Sequence, residues 1–384
     1  MFLSPALEEL SIYLPDQEQA GRVLNRLYEK NLNLKALYIE TAPFVITHRD
    51  VTLLTFLLGS YATLTTLELQ TATRSYTIDV DTLWFLAEIP SLESLSVELS
   101  SQYLLPWMPN LLTHIPSPFP SLQILSLTWQ DKESAPIIKT FISALSSKSL
   151  LKIELHIRYD VDVSDLLSIL QALSHHSMVN KVKVIHRVFE YDDDSDWDIP
   201  IEEEILHDLF ALSHMRKLYV EGFSVSFTDD GFIEDMGTCW QLIEEVVFVE
   251  VEDILPEDRE DIVDIRSFSS LATHCPHLRT LHIPWKSDLE NPNDIDLPVQ
   301  VGFRHPISLQ YGWAPIKNAM VTAAFLVTVF KNVCLVERRG TYVMALRQAM
   351  DSVVEGMKET GLIDWNVLDY TSWDDDSLWN DLPS

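Results

Sequence analysis

Pro120-Ser-Leu-Gln-Ile-Leu-Ser-Leu-Thr-Trp129, written PSLQILSLTW, decides the fold of this chain, because the same arrangement returns along most of its length. Apolar residues stand at Leu122, Leu125 and Leu127. Two variable residues follow the first and one follows the second, which is the pattern of a short strand entered by a bend and buried on one face. PALEELSIYL begins at Pro5, LNLKALYIE at Leu32, ATLTTLELQ at Ala62, PSLESLSVEL at Pro90 and PHLRTLHIPW at Pro276. Pro, Ser or His usually precedes the first apolar residue. With that residue as the mark, the copies fall at Leu7, Leu34, Leu64, Leu92, Leu122, Leu150, Val179, Met215, Ile243 and Leu278, at intervals of 27, 30, 28, 30, 28, 29, 36, 28 and 35 residues.

Such regular spacing matches the period of leucine-rich repeats, slightly stretched. Between copies lie helix-periodic segments at Glu18 to Glu29, Val51 to Tyr61, Val80 to Glu88, Ile137 to Leu145, Val163 to Leu173, Glu202 to Leu212 and Ile262 to Ala272. Pro136 suits a first helical turn. The expected fold is an α/β leucine-rich-repeat-like solenoid: a right-handed horseshoe of about 10–12 units over residues 1–340, with parallel strands on the concave face and helices on the convex face. Weaker copies follow at HPISLQYG, one position out of phase near Pro306, and FKNVCLVE near Val333. The long intervals place acidic insertions at 189–204 and 251–264, expected as surface loops whose ends can start the next helix. Residues 341–360 read as a capping helix and 361–384 as an acidic tail. For the tail, a solvated segment and an acidic-aromatic docking segment both stand.

In this geometry the residues between the apolar marks face outward on the inner surface. They are Glu9, Ser11, Tyr13; Ala36, Tyr38, Glu40; Thr66, Glu68, Gln70; Ser94, Ser96, Glu98; Ser126, Thr128; Lys152, Glu154, His156; Lys181, Lys183; Lys217, Tyr219, Glu221; and Thr280, His282. Within that ladder, Tyr13, Tyr38, Glu40, Glu68, Glu98, Thr128, Glu154, His156, Lys181, Lys183, Tyr219 and His282 are the expected protein-contacting residues. The ladder starts acidic and bears tyrosines, then turns basic between Lys152 and Lys217, a polarity that would orient a partner. Tyr38, Tyr219 and His282 can be contact hot spots or plain exposed strand residues.

A formal charge of −31 disfavours nucleic acid and anionic membranes and favours a partner with a basic protein surface. Three scattered cysteines make no disulfide framework and point to a reducing compartment, the cytoplasm or nucleus. The start MFLSPALEELSIYLPD lacks a basic n-region, and the most apolar run, Ala319 to Phe330, is too short to span a bilayer. A monomer is expected.

Chemistry is hard to find. His274-Cys275-Pro276-His277 has zinc-type donors, but adjacent donors do not converge on one ion and no second pair follows, so a helix-to-strand turn is expected. Asp192, Asp194 and Asp196 with Glu203 imitate a calcium loop, yet Trp197 stands where such a loop needs Gly. No nucleophile elbow, phosphate loop, dinucleotide fingerprint or HExxH is present, so no catalytic residue, cofactor or metal is expected.

The runs SSLATHCPHLRTLHIPW (Ser269 to Trp285) and HPISLQYGWAPIKNAMVTAAFLVTVFKNV (His305 to Val333) resemble the C-terminal part of basidiomycete F-box and leucine-rich-repeat proteins. Gly312, Pro315 and Ile316 match that family's G-x-x-P-I turn, and Phe330-Lys-Asn-Val333 its F-P-N-L-like element. The resemblance implies the substrate-holding solenoid of a ubiquitin-ligase receptor. The chain starts inside the first repeat, leaving no room before Leu7 for the F-box module, so recruitment of the ligase adaptor is expected only with an F-box upstream. The regular Asn ladder is missing, which implies an irregular solenoid. Two other functions remain open: activation of a small GTPase, as some acidic-tailed leucine-rich-repeat proteins do, and a truncated paralogue with no partner.

Overall fold

The computed structural model describes residues 6–14, 16–30, 32–41, 58, 63–71, 80–99, 117–129, 131–146, 148–158, 162–187, 200–226, 231–249, 262–291, 307–311, 316–330, 333–337, 346, 348–350 and 352–353. In chain order the first half carries β1 (Glu9–Leu14), α1 (Gln17–Lys30), β2 (Ala36–Thr41), β3 (Thr66–Thr71), α2 (Val80–Glu88), β4 (Ser94–Leu99), β5 (Ile124–Trp129), α3 (Ala135–Ala144), β6 (Lys152–Ile157), α4 (Val163–Ser174) and β7 (Lys181–His186). The second half carries β8 (Pro200–Glu202), α5 (Glu203–His207), β9 (Lys217–Glu221), β10 (Ser224–Ser226), α6 (Gly231–Cys239), β11 (Glu245–Val249) and β12 (Val263–Asp264). It closes with α7 (Phe268–His274), β13 (Thr280–His282), β14 (Trp285–Lys286), β15 (Ile307–Tyr311), α8 (Ala319–Val329) and β16 (Val333–Glu337).

Twelve of these strands form one parallel sheet in sequence order, β1 to β7, then β9, β11, β13, β15 and β16. The fold is thus the leucine-rich-repeat solenoid: each strand is one rung, and the chain leaves and re-enters the sheet on the helical side. Register turns the recurring triplet into rows. Leu10 pairs with Leu37, Leu37 with Leu67, Leu67 with Leu95, Leu95 with Leu125, and the row runs on to Leu309 and Leu335. Leu37, Leu67, Leu95, Leu125, Leu218, Val246, Leu281 and Leu309 are all 0% exposed. At about 2 kcal/mol for each fully buried leucine, this row alone is a large share of the driving force.

A second ladder runs through the bends. The Glu8 carbonyl accepts from the N–H groups of both Lys35 and Ala36, that of Lys35 from Thr65 and Thr66, and that of Thr65 from Glu93 and Ser94. The same two-for-one acceptance repeats down to Glu244, which takes Arg279 and Thr280. The residues preceding the marks add their own rungs: Ser91 Oγ donates to the Leu64 carbonyl at 2.8 Å and Ser121 Oγ to the Pro90 carbonyl at 2.6 Å. His214 Nδ1 does the same to Ser177 at 3.1 Å. Serine and histidine at these positions therefore perform the inter-rung bonding that an Asn ladder would supply.

Several sequence expectations need adjusting. The strand Ile307–Tyr311 is in phase after all, because Leu309 sits opposite Leu281 and Leu335 opposite Leu309. Helix α6 was not expected, since Gly231 and Gly237 interrupt its apolar stripe of Phe232, Ile233 and Met236. Gly237 is buried against the next unit, where a Cβ would meet Ser270 Oγ at 3.4 Å, an ordinary contact. The segment expected as a helix from Glu202 is shorter, Glu203–His207 followed by a 3-10 turn over Asp208–Ala211. The segment from Ile262 gives β12, a 3-10 turn over Ile265–Ser267, and only then α7.

The C-terminal ends of both acidic insertions, at 200–204 and 262–264, take part in the structure. Pro200–Glu202 pairs in parallel with Ser224–Ser226, and Val263–Asp264 pairs with Trp285–Lys286, making two small accessory sheets. Val263 is 1% exposed, so an apolar residue at the edge of a charged run is pulled into the core. Pro136 does lie in the first turn of α3. Asn318 caps α8, accepting from the N–H groups of Met320 and Val321 at 3.1 and 3.3 Å. Beyond β16, residues 346, 348–350 and 352–353 are helical, with Leu346, Ala349 and Met350 buried. The segment Val51 to Tyr61 apart from Leu58, the turn at Gly312 and Pro315, and the acidic tail lie outside the described residues.

Candidate functional site

Alternation along each strand sends every second side chain away from the core, and parallel pairing sets these residues side by side on successive rungs. One row runs Glu9, Ala36, Thr66, Ser94, Ile124, Lys152, Lys181, Lys217, Glu245 and Thr280. The next runs Ser11, Tyr38, Glu68, Ser96, Ser126, Glu154, Lys183, Tyr219, Val247 and His282. In the third, Tyr13 meets Glu40, and further along Glu98 meets Thr128, His156, Ile185 and Glu221.

The early rungs are open. Tyr13 is 57% exposed, Glu9, Ser11 and Glu40 are exposed, and Tyr38 and Glu68 are half-buried. Thr128, Glu154, His156, Lys181, Lys183 and Tyr219 are also half-buried. Four residues expected to face outward are buried instead: Ala36, Glu98, Thr280 and His282. Glu98 is only 3% exposed, with its Oε2 3.9 Å from Arg158 Nη1 two rungs on. His282 is 8% exposed and its Nε2 contacts Ser308 Oγ at 3.1 Å. Alternation also assigns Ile185, Val247 and Glu245 to this face, yet each is buried. On the inner side of a curved stack the rungs are only about 4.8 Å apart, so long side chains cover shorter neighbours, which alternation along one strand does not reveal.

The segment expected to be basic is a weave of both signs. Lys152 Nζ is 2.9 Å from Glu154 Oε1, and Lys217 Nζ 2.6 Å from Glu245 Oε1. Arg187 Nη2 is 2.6 Å from Glu221 Oε1, while the Tyr219 hydroxyl donates to Glu221 Oε2 at 2.7 Å. Lys183 Nζ stands 5.1 Å from the centre of the Tyr219 ring, a cation held over an aromatic face. Glu245 escaped sequence reasoning because it lies on a rung whose marks are flanked by an unbroken apolar run, Val246 to Val249, with no visible alternation.

Glu154 is the electrostatic hinge of this weave. Burial alone would raise its carboxyl, but contact with His156, the charge and hydrogen bond of Lys152 and the charge of Lys183 outweigh burial and lower it from 4.5 to about 2. A carboxylate depressed by folding adds stability that is complete above its ordinary value and fades as pH falls toward the folded value. Glu154→Gln is therefore expected to cost on the order of 2 kcal/mol near neutral pH, after allowance for solvent screening. The difference from wild type should vanish between pH 4.5 and about 2 in urea titrations across a pH series. A constant difference over that range would contradict the assignment.

Of the residues weighed for metal chemistry, Cys275 is engaged elsewhere. Cys275 is buried at the end of α7, its Sγ donating to the carbonyls of Gly237 at 3.7 Å and Trp240 at 3.8 Å. Burial pushes its thiol up to about 12, so it stays protonated. The turn expected after it is present at residues 276–277. The calcium-like run from Asp192 to Asp196 lies outside the described residues. Among the described residues no group of three or more His, Cys, Asp or Glu side chains could hold a metal ion, and no helix is long and apolar enough to cross a membrane.

No family model and no curated relative matches the sequence. Solved structures similar in arrangement include two leucine-rich-repeat proteins. One is a leucine-rich-repeat-containing protein of Legionella pneumophila, at TM-score 0.39 and 14% identity, covering 92% of this chain and 99% of that one. The other is a leucine-rich-repeat protein of Leptospira interrogans, at TM-score 0.28 and 9% identity, covering 85% and 100%. Likeness at that level adds nothing about function, and the fold rests on the parallel ladder of strands itself.

Proposed function

We propose that this chain is a non-enzymatic protein-binding solenoid that holds a partner against the open, early part of its strand face. The observation that carries it is Tyr13, a large amphipathic side chain 57% exposed on a rigid rung, flanked by exposed Glu9, Ser11 and Glu40. Aromatic rings on preorganised strands supply contact area at low entropic cost, and flanking carboxylates select a basic partner surface. A charge of −31 would speed the encounter with such a partner. In this reading the chain serves in the cytosol or nucleus as the substrate-holding part of an F-box-type ubiquitin-ligase receptor, as the resemblance over Ser269 to Val333 implies. The helical residues around Leu346 cap the last rung.

The test is quantitative binding to a partner first isolated by affinity capture. Tyr13→Ala is expected to weaken the complex about tenfold or more, the usual cost of truncating an aromatic anchor. Glu40→Lys should weaken it further and make association less sensitive to salt. An affinity unchanged by Tyr13→Ala would remove the early strand face from the interface.

A further inference from the structure

We propose that the row formed by Lys152, Lys181 and Lys217 docks an extended acidic segment of the partner protein, so that the strand face grips one partner by two surfaces of opposite charge. This rests on the strand face being the binding surface and specifies what its middle rungs recognise. The three lysines stand at equivalent register positions of β6, β7 and β9, consecutive neighbours in the sheet. Their outer members are already neutralised, Lys152 by Glu154 and Lys217 by Glu245. Among the described residues Lys181 has no ion pair, although it lies between them and is half-buried. Burial, and the charges of Lys217 and Lys152 beside it, hold its amine below the ordinary lysine value, while Glu245 and Glu244 act weakly the other way.

An ammonium crowded by two others and short of a counter-charge is a place where an anion relieves repulsion. The chemistry favours carboxylates on an extended chain. Two rungs span about 9.6 Å, which an extended peptide covers in about three residues, so one acid of such a segment can meet Lys181 while its neighbours lie over the Lys152–Glu154 and Lys217–Glu245 pairs. The chain's own charge of −31 does not forbid this, because repulsion from distant carboxylates is screened beyond about 8 Å at physiological salt. Lys183, held over the Tyr219 ring on the adjacent row, adds a second positive charge beside the segment.

The experiment titrates fluorescein-labelled decaglutamate with the full chain in about 0.15 M salt and follows anisotropy. Saturable binding is expected, weakened about tenfold by Lys181→Gln, the scale of losing one charge-assisted hydrogen bond. Lys148→Gln, in the exposed turn before β6, should bind as wild type does. Removing a repelled charge should leave thermal stability equal or slightly higher, so lost binding is not lost folding. No binding of decaglutamate, or binding equal in wild type and Lys181→Gln, overturns the proposal. Failure of the wider reading shows elsewhere, as partner binding indifferent to Tyr13→Ala.

Discussion

Gly222→Ala is expected to destabilise the protein by at least about 3 kcal/mol, the sum of strain at a left-handed backbone position and overpacking. Gly222 follows β9 with φ at +84°, a region glycine enters freely and other residues rarely do. Space is the greater obstacle. A Cβ at this position would stand 1.9 Å from the carbonyl oxygen of His186 and 2.9 Å from its carbonyl carbon, both backbone atoms at the end of β7. Gly222 is also pinned from both sides, its N–H donating to the Val249 carbonyl at 2.9 Å and its own carbonyl meeting His186 Nδ1 at 3.1 Å. Three neighbouring rungs therefore converge on one position without a side chain, and relief requires the sheet to open there. Urea unfolding followed by circular dichroism measures the loss. A midpoint unchanged within error would mean that the ends of β7 and β9 do not close as described.

Trp240→Ala should cost about 3–5 kcal/mol, the range for emptying a large aromatic site in a packed core. Trp240 is 0% exposed between α6 and β11, in edge-to-face contact with Phe210 at 5.0 Å, and its Nε1 donates to the Leu209 carbonyl at 3.2 Å. That carbonyl also accepts from Leu212 N–H, so the lost hydrogen bond matters less than the cavity. In a solenoid each unit is coupled mainly to its neighbours, so a weakened contact in the chain's second half should do more than lower stability. It should divide unfolding into two transitions, the part before β9 melting separately from the part after it. Trp240→Phe keeps most of the volume and should cost about 1–2 kcal/mol with one transition retained. Equal losses for the two variants would show that the site collapses around the smaller residue.

Much of the architecture was legible because a leucine-rich rung is a local object. Leu92, Leu95 and Val97, or Leu122, Leu125 and Leu127, carry strand, bend and inward face within six residues, and every one of them is buried within 1% exposure. The same locality explains why α1, α2 and α4 fell within a residue of their expected bounds. Helix α6 escaped because Gly231 and Gly237 lower its helix propensity and leave only Phe232, Ile233 and Met236 as an apolar stripe. The accessory sheets escaped because three-residue and two-residue strands have no period to detect.

The candidate face was legible as a list of outward positions and not as a surface. Sequence alternation named Tyr13, Glu40, Lys181 and Glu98 alike, yet Tyr13 and Glu40 stand in solvent, Lys181 is half-buried between two lysines, and Glu98 is buried against the Arg158 side of the sheet. What the order of residues determined by itself was the one-dimensional part: the period, the inward rows and the number of charges. Which carboxylate neutralises which lysine, and which outward residue remains reachable, was decided by the register of strands about 30 residues apart and by the narrow spacing of rungs on the inner face. Coulomb energy and accessibility depend on distance in space, and only packing the rungs together sets that distance.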